Sequence, residues 1–225
     1  MVFVDHHSRL KYVHLTTSTS SQQTVYDKQA FERYCRHMDV HIQHYHCDNG
    51  RFADNAFIEH CESQGQTITY CGAYTHFQNG IAEKAIRDLQ EGARKMLLHA
   101  KERWPGAISL SLWPYALILT NEIMNNLPDE SDGSSKIERF SRVQVNSRLQ
   151  DWHTFGCPVF MLTRQAQQGT AKKWDPRSRV GIYLGPSPCH AGNISLILNP
   201  ATGLASPQFH VAHDDCFVDN TSREG

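Results

Sequence analysis

Residues 47–94 constrain this chain more than any other stretch, because the expected backbone period switches repeatedly within them. Val40–Cys47 reads as extended and delivers Asp48 into an Asn49-Gly50 turn. Asp54 is placed to cap a short helix with Phe57, Ile58 and Cys61 on one face, stopped before Gly65. Thr67–Tyr70 reads as a strand and Cys71–Gly80 as a loop. A long helix follows from Ile81 to Arg103, with Ile81, Ala85, Leu89, Ala93, Met96 and Leu97 as its apolar stripe. Short strands alternating with helices imply an α/β layer structure. Such sheets place sites beyond the carboxyl ends of their strands, where Asp48 falls.

The same stretch carries the chemistry. Thirty-four residues separate Asp48 from Glu83, which sits where the 81–103 helix begins. Brought together, a carboxylate at a strand end and another at a helix start would hold a hard divalent cation and leave room for phosphate oxygens.

The rest of the chain extends the pattern. Met1–Val4 and Leu10–Thr16 read as strands joined by a hairpin-like turn over 5–9. Phe31, Tyr34, Cys35 and Met38 mark an amphipathic helix ending near Met38. A further helical segment covers Ile108–Asn126, with Pro114 as its kink or start. Pro128–Ser135 is the best linker candidate. Beyond it the β-rich runs Cys157–Thr163, Arg179–Leu184, Ile194–Leu198 and Phe209–Ala212 suggest a small antiparallel barrel or sheet.

With 225 residues, 40% hydrophobic and 20% charged, the composition is that of a globular protein with room for a real core. No apolar run approaches the ~20 residues of a membrane span. No charged-then-apolar leader is visible either, so a nuclear or cytoplasmic location is expected and secretion is not. Seven scattered cysteines without a C-x-x-C argue for free thiols rather than a disulfide framework or zinc site. The net charge of -1 speaks against nucleic-acid binding unless Lys and Arg are clustered.

The string His76-Phe77-Gln78-Asn79-Gly80-Ile81-Ala82-Glu83-Lys84-Ala85-Ile86-Arg87, with Asp48-Asn49-Gly50 before it, resembles the catalytic core of retroelement integrases, most closely the copia-type branch. Phe155-Gly156-Cys157, the 177–185 string and Thr202-Gly203 look like the SH3-like domain that follows this core in copia-type polyproteins. The resemblance implies a ribonuclease-H-like α/β core over 1–127, a linker over 128–150 and a small SH3-like β domain over 151–219. It implies metal-dependent cutting of element ends and strand transfer into target DNA, with Mg²⁺ or Mn²⁺ held by three carboxylates. Asp48 and Glu83 match two of them. It also implies DNA partners and a homo-oligomer.

The third carboxylate does not match. Phe3-Val4-Asp5-His6-His7-Ser8-Arg9 resembles the family's second strand and its turn, which leaves Asp5 as a turn residue. On this alignment the first strand and its catalytic Asp are missing. The expected function is therefore a truncated or inactive integrase-type polynucleotidyl transferase. A catalytically dead nucleic-acid-binding remnant and a ribonuclease-H-like nuclease stand as alternatives.

Other candidates carry simpler readings beside the functional one. Gln78 and Asn79, in the loop from Tyr74, would meet unpaired bases, or form a plain surface loop. Lys84 and Arg87 would contact phosphate, with Arg94 and Lys95 further along. The simpler reading is a solvated face laced by Glu83–Arg87 and Asp88-centred pairs. His41, His44, His46 and Cys47 invite a metal reading but read better as a structural strand. Lys172, Lys173, Arg177 and Arg179 surround Trp174 as a basic patch or a solvated loop.

Overall fold

The computed structural model describes residues 1–72, 79–145, 151–190 and 193–218. The chain divides into two compact units, the first Met1–Leu89 with Asn121–Val145 and the second Gln90–Thr120 with Asn146–Gly225. The architecture is mixed α/β.

In the first unit, β1 (Val2–Val4) and β2 (Lys11–Val13) form an antiparallel hairpin with Phe3 opposite Tyr12. The turn between them is built by Asp5, whose Oδ2 accepts from the Ser8 amide and hydroxyl, both at 2.7 Å. Arg9 takes a left-handed conformation there, with φ 62°. The helix α1 (Ser21–Arg36) starts at Ser20, whose hydroxyl accepts from the Gln23 amide. β3 (His44–Cys47) and β4 (Thr67–Tyr70) pair in parallel, Tyr45 opposite Ile68, connected through α2 (Asn55–Ser63). Asp54 caps α2 as the sequence suggests, its carboxylate accepting from the Ala56 amide. One core joins these elements: Phe3, Leu10, Phe31, Cys35, Tyr45, Cys47, Phe57, Cys61 and Phe140 are buried together. Phe3 stacks on Phe31 with centroids 4.6 Å apart, which ties the hairpin to α1.

A buried polar network underlies that core. Lys28 is fully buried and donates to Glu32 Oε1 at 2.7 Å and Gln66 Oε1 at 2.6 Å, with His60 Nδ1 at 2.9 Å. Glu32 Oε1 also accepts from the Tyr45 hydroxyl and the Gln66 amide. Burial pushes the Glu32 carboxyl up, but the hydrogen bonds from Lys28, Gln66 and Tyr45 outweigh it and hold the group below its ordinary range.

The helix α3 (Gly80–Arg103) buries Ala85, Leu89, Ala93 and Leu97, most of the stripe read from its sequence, and ends before Trp104-Pro105. Pro114 lies in the first turn of α4 (Trp113–Asn126), where its missing N–H costs nothing. Residues 128–150, expected to link domains, contain a six-residue helix α5 (Lys136–Ser141) that opens with a Ser135–Glu138 capping box.

The second unit contains a five-stranded, fully antiparallel sheet. Its strands are β5 (Pro158–Leu162), β6 (Ser178–Pro186), β7 (Ser195–Asn199), β8 (Leu204–Gln208) and β9 (Val211–His213), in the order β8-β7-β6-β5-β9. A short helix α6 (Arg164–Gln167) follows β5. The sequence reading finds four of these strands and misses β8, whose Ala-Ser-Pro-Gln run lacks the β-branched residues that signal a strand. Gly181 is needed in β6, since a Cβ there would meet Ile197 Cγ2 at 2.4 Å and Met161 Cε at 2.6 Å. Among the described residues no helix is long and apolar enough to cross a membrane. All seven cysteines are free.

Candidate nucleic-acid and metal site

Asp48 follows directly on β3 and is exposed. Its Oδ1 accepts from the Gly50 amide at 3.0 Å, the turn that the Asp-Asn-Gly string favours. The neighbouring Asn49 side-chain Nδ2 donates to the Cys71 carbonyl at 2.9 Å and ties this turn to the residue after β4. Glu83 is exposed in the first turn of α3, where a carboxylate complements the helix dipole. Asn79 is half-buried at the entry to that helix. Gln78 and the rest of the 73–78 loop lie outside the described residues.

Lys84 and Arg87 are exposed, and among the described residues the ion pairs that the simpler reading assigns to this face are not made. Neither Glu83–Arg87 nor an Asp88 pair forms; the ion pair on this helix among the described residues is Lys95–Glu91, at 2.6 Å. Lys84 and Arg87 thus keep their donors for another anion. Lys84 and Asp88 also act on buried Lys11 of β2. Burial lowers the Lys11 ammonium, Lys136 and Lys84 lower it further, and Asp88 opposes them.

The histidines of β3 are structural. His44 places its two ring nitrogens 2.7 and 2.9 Å from the Thr67 and Thr69 hydroxyls, and His46 bonds Thr69 at 2.9 Å and lies 3.5 Å from Cys71 Sγ. Burial pushes the Cys47 thiol up to about 12, so it is protonated at neutral pH.

A metal ion was expected from the resemblance, and the donor set tests it. Asp5 spends Oδ2 on Ser8 within its own turn. Among the described residues no group of three or more His, Cys, Asp or Glu side chains could hold a metal ion. A two-metal site needs shared carboxylates, and Asp48 with Glu83 does not supply a full set. Among the described residues, Asp48 and Glu83 are not joined by further donors into a complete divalent-metal centre.

Two features escaped the sequence reading. Asp27 on α1 is fully buried; its Oδ1 accepts from the Gln23 side-chain Nε2 at 2.7 Å and lies 3.6 Å from His14 Nε2, while Oδ2 has no hydrogen-bond partner among the described residues. Nothing in a helix written Thr-Val-Tyr-Asp-Lys distinguishes such a carboxylate from a solvated one. In the second unit, His153 and His213 stack with centroids 3.4 Å apart. His153 bonds Asp215 at 2.8 Å and His213 bonds Ser195 at 3.0 Å. Burial, with the His153 charge, lowers His213 to about 4.

Lys172, Lys173, Arg177 and Arg179 are exposed and make no ion pair among the described residues, Trp174 is 88% exposed, and Lys173 Nζ lies 5.4 Å from its ring centre.

No family model matches the chain. Among solved structures it is similar to the catalytic core domain of BIV integrase, at 22% identity over 63% of this chain and 84% of that one, with a TM-score of 0.46. It is also similar to the catalytic core domain of HTLV-2 integrase, a trimeric form in complex with magnesium, at 20% identity over 61% and 80%, again with a TM-score of 0.46.

Proposed function

We propose that this chain is an inactive integrase-type polynucleotidyl transferase of copia-type retrotransposon origin, which keeps DNA binding and has lost strand transfer. The observation that carries the reading is the pairing of sequence and place. Asp48-Asn49-Gly50 leaves the end of a parallel strand, and Glu83, at the end of the Gln78–Glu83 string, opens a long helix. Both carboxylates are exposed, and Lys84 and Arg87 beside Glu83 hold no carboxylate partner among the described residues. In this reading Asp48 and Glu83 occupy two of the family's metal-ligand positions, and Gln78, Asn79, Lys84 and Arg87 contact nucleic acid.

Loss of activity is supported by the donor set, in which no third ligand joins the pair among the described residues. The reading keeps a core over 1–127, a linker over 128–150 and an SH3-like domain over 151–219. The five-stranded antiparallel sheet and its Trp174 patch suit a second DNA contact in the last of these. Assembly as a homo-oligomer and a nuclear or cytoplasmic location belong to the same proposal.

The test combines the purified chain with Mg²⁺ or Mn²⁺ and a duplex bearing element ends, with Glu83→Gln as control. Binding that weakens steeply with salt, without joining, is the expected result. Joining that depends on Glu83 would show a complete site. No binding even at low salt would remove the nucleic-acid reading altogether.

A further inference from the structure

The buried polar network of the first unit leaves one acceptor unused. Lys28 donates its three protons to Glu32 Oε1, Gln66 Oε1 and His60 Nδ1. The Gln66 side-chain Nε2 donates to Glu32 Oε1 and to the Ile42 carbonyl at 3.0 Å, and the Tyr45 hydroxyl donates to Glu32 Oε1 at 2.9 Å. Glu32 Oε1 thus takes three donors, and among the described residues Oε2 takes none. Oε2 is not sealed in either, because the buried side-chain oxygens without a partner are Asp27 Oδ2, Asn121 Oδ1 and Tyr183 Oη. Glu32 is 5% exposed, and the space it does reach is a cavity of about 220 Å³.

All the walls of this cavity come from residues 32–66. Glu32 and Arg36 belong to the end of α1, Val40–Gln43 to the segment entering β3, and Gln64–Gln66 to the turn entering β4. Gly65 takes a left-handed φ of 67° in that turn, and a Cβ on it would meet nothing within 4 Å. Arg36 follows Glu32 by four residues, a spacing at which ion pairs form on a helix, yet the ion pair of Glu32 is with Lys28. Arg36 and His41 are exposed, and neither side chain makes a hydrogen bond or ion pair among the described residues. Val40 and Ile42 make the apolar part of the wall. The cavity therefore offers a buried acceptor, an apolar side and a free cation.

We propose that this cavity binds a small hydroxyaryl carboxylate, its hydroxyl donating to Glu32 Oε2, its ring against Val40 and Ile42, and its carboxylate on the Arg36 guanidinium. The chemistry of the walls selects the class. Lys28 already neutralises Glu32, so the floor asks for one hydrogen bond and not for a second charge. A ligand ammonium there would face the buried Lys28 ammonium, whereas a phenol O–H is neutral and donates strongly to a carboxylate. An exposed guanidinium matches a ligand carboxylate with two parallel hydrogen bonds. A ring against Val40 and Ile42 removes apolar surface from water, which a cavity filled by water alone does not. The volume of about 220 Å³ equals the liquid share of about seven waters, enough for one ring with short arms and too little for a nucleotide.

The test titrates the full chain with 4-hydroxyphenylacetate and follows backbone amide shifts by NMR. Saturable shifts centred on residues 40–43 and 64–66 are expected. Phenylacetate, without the hydroxyl, and 4-hydroxyphenylethanol, without the carboxylate, are each expected to bind roughly tenfold or more weakly. Deleting the hydroxyl from the ligand probes Glu32 Oε2 without disturbing the network that holds Glu32. Arg36→Gln, at an exposed position, should weaken 4-hydroxyphenylacetate by roughly tenfold and leave 4-hydroxyphenylethanol unchanged, a selectivity that a general loosening of the fold would not give. Absence of saturable shifts would leave the cavity to water and overturn the proposal. Equal binding of phenylacetate, an equal loss of both ligands in Arg36→Gln, or shifts centred on Lys84 and Arg87 would overturn it too. The cavity shares no residue with Asp48, Glu83, Lys84 or Arg87, so this site and the DNA reading fail separately.

Discussion

In the second unit, β5, β6 and β7 each have a neighbour on both sides, and the antiparallel ladder runs unbroken through five strands. Among the described residues of the first unit, each of the four strands has a single partner, and the two pairs share a core without sharing a hydrogen bond. One region joins all its strands in a single backbone ladder; the other joins its two short ladders through side chains. Phe3 on Phe31 and the Lys28–Glu32–Tyr45–Gln66 network do in the first unit what the ladder does in the second. The difference teaches that a region can keep a packed core after its sheet is interrupted, provided its helices carry the order.

If that contrast is right, the largest effect in the first unit comes from its buried cation. Lys28→Met leaves Glu32 ionised and buried without its main partner, and a loss of ~3–5 kcal/mol in urea unfolding is expected. Combining it with Glu32→Met should cost less than the single changes summed, because no unpaired charge remains. Equal and additive costs would break the idea of a network.

A backbone-held sheet responds instead to crowding. Gly181→Ala in β6 brings a Cβ against Ile197, Met161 and the Leu198 carbonyl, and ~1–3 kcal/mol of destabilisation is expected, read from exchange of second-unit amides. Of similar size, Asn125→Ala removes the side chain that bonds the Lys11 amide and carbonyl and should cost about 1–3 kcal/mol, confined to the first unit.

Acid sharpens the comparison. The His213 pKa is lowered from 6.5 to about 4 in the fold, so the unfolded chain binds the extra proton first. Its stabilisation is whole above pH 6.5 and is lost as pH falls toward 4, by about 1–2 kcal/mol once its partial exposure is discounted. His60 in the first unit, lowered by burial and Lys28, acts in the same sense. Glu32, held below its ordinary 4.5, contributes stability that is lost only as pH falls beneath that value. His213→Asn should flatten the second unit's profile between pH 6.5 and 4; an unchanged profile would assign the acid response elsewhere.

The smallest stability change is expected on the surface. Trp174→Ala should move unfolding by less than ~0.5 kcal/mol, since the ring is 88% exposed. In the same variant oligonucleotide affinity should fall, and Lys172→Ala should reduce the salt slope by about one. A stability loss with unchanged binding would make Trp174 part of the fold and not of a binding surface.

Much of the fold is legible in the chain itself. Periodicity alone places the 67–70 strand to the residue and the 81–103 helix within one residue of its start, because such signals are local. Capping chemistry places Asp54 at the start of its helix, and proline chemistry marks the end of α3 and the start of α4. The position of Asp48 at a strand end and of Glu83 in a first helical turn follows from the same short-range rules. What the tertiary structure decided is pairing and satisfaction. That four strands close into two pairs and not one sheet, that Lys28 and Asp27 are fully buried on a helix face that reads as polar, and that Lys84 and Arg87 stand without ion-pair partners among the described residues all depend on residues far apart in sequence. Hydrophobic spacing states which face of an element turns inward. It does not state which donors and acceptors will meet there, since each of those bonds is set by the packing of two or more elements at once.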